Sequence, residues 1–133
     1  MEVSMIGEQV RQYQGKNIDL GTLKSKIEDY LKNDGFNVQS SSPSAHGTLI
    51  QADKGGFLRS VVAADRAFNI LLDGEPGNFT VRVGIGKWMK NLEIAAVETL
   101  LFSGLFFFVD VPEMAWNLEV EDKILKQIDA FVG

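Results

Sequence analysis

The stretch from Leu92 to Val109, LEIAAVETLLFSGLFFFV, constrains this chain more than any other. Across those eighteen residues only Glu93, Glu98, Thr99, Ser103 and Gly104 interrupt the apolar side chains. Leaving such a run in water would cost about 1.5–3 kcal/mol per large side chain, so a core, a partner or lipid must cover it. As a single helix it would be about 27 Å long, short of the roughly 30 Å hydrocarbon layer. Glu98 would sit inside that layer at a cost of about 2.5–3.5 kcal/mol. A membrane-spanning helix is therefore disfavoured. Gly104 followed by Leu-Phe-Phe-Phe-Val reads as a helix stop before an aromatic, strand-prone segment. The expected structure is a buried helix over Asn91 to Ser103 and a short buried strand over Leu105 to Val111. One helix continuing to Val109 is the close alternative, because short apolar runs do not discriminate.

Elsewhere the periodicity alternates between helix and strand. Residues 1–18 are expected to form an N-terminal arm: Val3, Ile6, Val10 and Tyr13 suggest a helical stripe, but Gly7 and Gly15 weaken it. Leu20, Leu23, Ile27, Tyr30 and Leu31 recur at helical spacing, with Asp19 as N-cap and Gly35 as left-handed stop, so a helix runs from Leu20 to Asn33. Strands are expected over Phe36–Ser40, Gly47–Lys54, Arg66–Asp73 and Phe79–Ile85. Phe57–Ala64 suits either a short helix or a strand. The Asp73–Asn78 turn joins the last two strands as a hairpin, with Phe79, Val81, Val83 and Ile85 inward and Thr80 and Arg82 outward. Asp110-Val111-Pro112-Glu113 resembles a capping box, and Asn117 is the expected cap of a final helix. In that helix Leu118, Ile124, Leu125, Ile128, Phe131 and Val132 share an apolar face. Residues 19–133 thus read as a single α+β domain, an antiparallel sheet of about four to five strands with helices mainly on one face.

Composition narrows the function classes only a little. The 133 residues are 45% hydrophobic and 23% charged, which suits an ordinary globular domain. No cysteine is present, which removes disulfides and thiolate metal sites. The N-terminus lacks a basic segment followed by an apolar one, so no secretory signal is expected and the cytoplasm is the expected location. The net charge is −5, unevenly spread. Residues 54–90 hold three acids and six bases, whereas residues 110–133 hold six acids and two bases. Either the acidic tail packs beside the basic middle, or the middle presents a cationic face to an anionic partner.

Little in the sequence carries chemistry. Gly84-Ile85-Gly86-Lys87-Trp88 lacks the spacing of a phosphate loop, since Val81 stands where a glycine is needed and Trp88 where Ser or Thr is needed. It reads instead as a strand end at which Trp88 folds over a glycine backbone. His46 is the lone histidine, which leaves a metal site to carboxylates alone. Asp53 with Asp65, and Asp73 with Glu75, are conceivable acid–base pairs, and Asp53, Asp65 and Arg66 would form any hydrolase-type site. No catalytic residue is assigned, and no cofactor or metal is implied. The basic set Lys54, Arg59, Arg66, Arg82, Lys87 and Lys90 is more suggestive. Lys87 and Lys90 flank Trp88 directly before the apolar run, the arrangement found where proteins meet lipid headgroups. A sequence pI near 4.8 argues against nucleic acid.

The central stretch GTLIQADKGGFLRSVVAADRAFNILLDGEPGNFTVRVGIGKW resembles a small, poorly characterised domain of archaeal and bacterial proteins. That group joins a Q-x-x-K-x-G strand and turn to a hairpin ending in V-G-x-G-x-W/F, followed by an apolar segment. The matching residues are Gln51, Lys54, Gly56, Val83, Gly84, Gly86 and Trp88, within about a third of the chain. The zinc ribbon that some members carry is absent here. The resemblance implies a domain boundary and no particular activity.

The sequence therefore points to a binding or protein-interaction domain that oligomerises through apolar surface. Its candidate ligand- or partner-binding residues are Arg66, Arg82, Lys87, Trp88, Lys90, Phe106 and Phe108. The expected partner is a second copy or another protein, with an anionic membrane surface as the alternative. A carrier of an apolar ligand and a small enzyme are the other readings.

Overall fold

A computed structural model describes residues 2–5, 8–42, 47–53, 66–89, 92 and 114–133. In chain order these give β1 (Glu2–Met5), β2 (Glu8–Gln14), α1 (Leu20–Asn33), β3 (Asn37–Ser40), β4 (Thr48–Asp53), β5 (Arg66–Glu75), β6 (Asn78–Lys87) and α2 (Met114–Val132). Among the described residues the strands form one antiparallel sheet of six, ordered β1-β2-β6-β5-β4-β3. The α+β class and antiparallel sheet thus match the expectation from sequence. The sheet is wider than expected because Glu2–Met5 and Glu8–Gln14 add two paired antiparallel strands.

These strands stand where Val3, Val10 and Tyr13 suggested a helical stripe. Val3, Val10 and Tyr13 suit strands as well as they suit a helical stripe, and tertiary pairing decides between them. β2 lies along β6 in unbroken register from Glu8 opposite Gly84 to Gln14 opposite Asn78. The Tyr13 ring then stacks on Phe79, with centroids 5.1 Å apart.

One hydrophobic cluster lies between the sheet and the two helices. Ile50 and Ala52 of β4, Phe68, Ile70 and Leu72 of β5, and Phe79, Val81 and Val83 of β6 alternate inward. Leu23, Ile27 and Leu31 of α1 and Ile124, Leu125 and Ile128 of α2 close over them. Both helices therefore share that face. Phe36 joins edge-on to Phe68, 6.0 Å between centroids. α1 begins and ends where its sequence dictates: Asp19 accepts a hydrogen bond from Thr22 N at 2.9 Å, and Gly35 takes φ 93° just beyond the helix. α2 starts at Met114, so Asn117 lies within its first turn and does not cap it. Nothing between Met114 and Leu118 breaks a helix, and asparagine is tolerated there at a small cost.

Phe57–Ala64, the Asp110–Glu113 capping box, and the apolar run apart from half-buried Leu92 lie outside the described residues. Among the described residues no helix is long and apolar enough to cross a membrane.

The two ends of the chain are fastened to each other. Asp129, in the last turns of α2, accepts hydrogen bonds from Arg11 and from the Tyr13 hydroxyl, both on β2. Lys16 Nζ donates to the Gly133 carbonyl at 2.9 Å. Acid from the C-terminal segment thus meets a base of β2. Because Asp129 stays partly exposed, its removal is expected to cost only about 1–2 kcal/mol. Asp129→Ala should also raise amide exchange in β2 selectively, which hydrogen-exchange mass spectrometry would show. Equal protection in both proteins would count against the clasp.

Candidate functional site

The sheet face opposite the helices is built differently. Leu49, Ala67 and Leu71 are buried there, together with two uncharged amides, Gln51 and Asn69, each fully inaccessible to solvent. The strand register sets these amides in a line. Gln39 stands opposite Gln51, Gln51 opposite Asn69, and Asn69 opposite Gly84, so one row crosses β3, β4, β5 and β6. Burying an amide is costly unless it is hydrogen-bonded. Gln51 Nε2 donates to Asn69 Oδ1 at 2.8 Å, and Gln39 Nε2 donates to Gln51 Oε1 at 2.8 Å.

The row also holds main chain. Met89 N donates to Gln51 Oε1 at 3.0 Å, and the Met89 carbonyl accepts from Gln39 Nε2 at 2.5 Å. The chain that leaves β6 at Lys87 thus reaches across β5 to the two strands at the edge. Asn69 fixes the orientation of the pair: its oxygen takes the Gln51 NH2 group, which turns Gln51 Oε1 toward Met89.

The residues singled out from sequence fall into separate groups. Arg66 opens β5 directly opposite Lys87, the last residue of β6. Trp88 and Met89 follow, both half-buried. Arg82 stands opposite Leu71, on the face away from the helices as expected, and is half-buried. Five residues separate it from Lys87, about 16 Å along the strand. Arg82 and the Arg66–Lys87 end are therefore not one cluster. Lys90, Phe106 and Phe108 lie outside the described residues, as do His46, Lys54, Gly56, Arg59 and Asp65. Asp53 ends β4 opposite Asn37, whereas Asp73 and Glu75 lie exposed near the β5–β6 turn.

Sequence reasoning missed Gln39 and Asn69. The available signal was an uncharged amide in the middle of an otherwise apolar strand, as in Leu-Ile-Gln-Ala and Phe-Asn-Ile-Leu. It also missed the Tyr13–Asp129 contact, which joins residues more than a hundred positions apart. Burial raises the Tyr13 pKa well above its usual 10.0, and the hydrogen bond to Asp129 and that carboxylate's charge add to the rise. Arg11 opposes it. The folded state thus favours the neutral phenol. That stabilisation is complete below pH 10 and falls as the pH rises further. Denaturation midpoints between pH 9 and pH 11 should drop less for Tyr13→Phe than for the parent chain; parallel curves would refute this assignment.

Among the described residues no group of three or more His, Asp or Glu side chains is arranged to hold a metal ion. No protein-family model, curated protein or solved structure matches the chain.

Proposed function

We propose that this chain is a cytoplasmic binding or protein-interaction domain that associates, first of all with a second copy of itself, through apolar surface contributed by the run from Leu92 to Val109. The observation that supports this reading is the position of Met89. Its backbone is bonded to Gln39 and Gln51, so Met89, just before the apolar run, lies on the sheet face opposite α1 and α2, beside the edge strand β3.

Light-scattering mass over a hundredfold range of concentration tests the proposal. A mass rising above 14.7 kDa, with binding of an apolar dye that declines as mass rises, is the expected result. A monomer at every concentration that binds no dye would overturn it. Sedimentation with anionic vesicles separates the membrane alternative. Arg82, Lys87 and Lys90 together would supply roughly 3 kcal/mol, at about 1 kcal/mol per basic group. Salt-sensitive vesicle binding by a chain that does not self-associate would move the assignment to a membrane surface.

A further inference from the structure

We draw no further inference here: the strongest candidate, the half-buried aromatic surface patch that Tyr30 and Phe131 form where α1 meets the end of α2, carries nothing because nothing in the structure shows what covers it.

Discussion

Gly74→Ala is expected to destabilise the fold by about 3 kcal/mol or more, the sum of backbone strain and a steric clash. Gly74 has φ 129°, a conformation that side chains rarely adopt. An added Cβ would lie 2.6 Å from the Asn78 carbonyl oxygen and 2.7 Å from Phe79 Cα, both main-chain atoms that cannot swing aside. The cost propagates, because the hairpin end does more than join two strands. Gly15 N donates to the Gly77 carbonyl at 3.0 Å and Ile18 N to the Pro76 carbonyl at 3.3 Å, which ties the β2–α1 connection to the same turn. Gly77 supplies the control: its backbone is not left-handed, and a Cβ there meets nothing within 4 Å. Gly77→Ala should therefore stay within about 0.5 kcal/mol of the parent. Urea denaturation with unchanged slope would read both values. A Gly74 variant as stable as the Gly77 variant would mean that the β5–β6 register is wrong.

The elements whose pattern is local were legible in the sequence. α1 has a one-sided stripe, a cap and a glycine stop, and it occupies the expected residues, Leu20 to Asn33. Phe68, Ile70, Leu72, Phe79, Val81 and Val83 alternate as expected and form the sheet side of the core. The hairpin was visible in its turn residues, and the glycine with positive φ is Gly74, within β5. What escaped depends on distant partners. β1 and β2 are short and polar; pairing with β6 makes a strand of β2, and pairing with β2 makes one of β1. The amide row escaped for a related reason. A glutamine in a strand reads as a solvent-facing residue until the register shows amides lined up on neighbouring strands. The basic residues were noticed for their charge, yet the structure sets Arg82 apart from the Arg66–Lys87 end, a separation that depends on strand position and not on composition.

The amide row sets up the second large effect, in Gln51→Glu. The substitution keeps size and one acceptor oxygen but replaces the NH2 that Asn69 accepts from. Protonated, the new carboxyl reproduces the glutamine: its O–H donates to Asn69 Oδ1, and its other oxygen accepts from Gln39 and from Met89 N. Ionised, it puts a charge at a site with no solvent exposure and sets an oxygen against the Asn69 oxygen. Burial therefore raises the carboxyl's folded pKa above its unfolded value of about 4.3, by roughly 3 units for a fully buried group. A raised folded pKa means that the stability is present below the unfolded pKa and is lost as the pH rises through the folded one. Relative to the parent, the variant should lie within about 1 kcal/mol at pH 4 and fall by roughly 4 kcal/mol toward pH 7.5. Gln51→Leu removes the polar groups without adding a titrating one. It leaves Asn69, Gln39 and Met89 short of a partner, at about 2–4 kcal/mol independent of pH. Parallel urea series at pH 4, 5.5 and 7.5 separate the two variants. A Glu variant whose deficit does not change with pH would show that Gln51 meets water, and would remove the buried amide row.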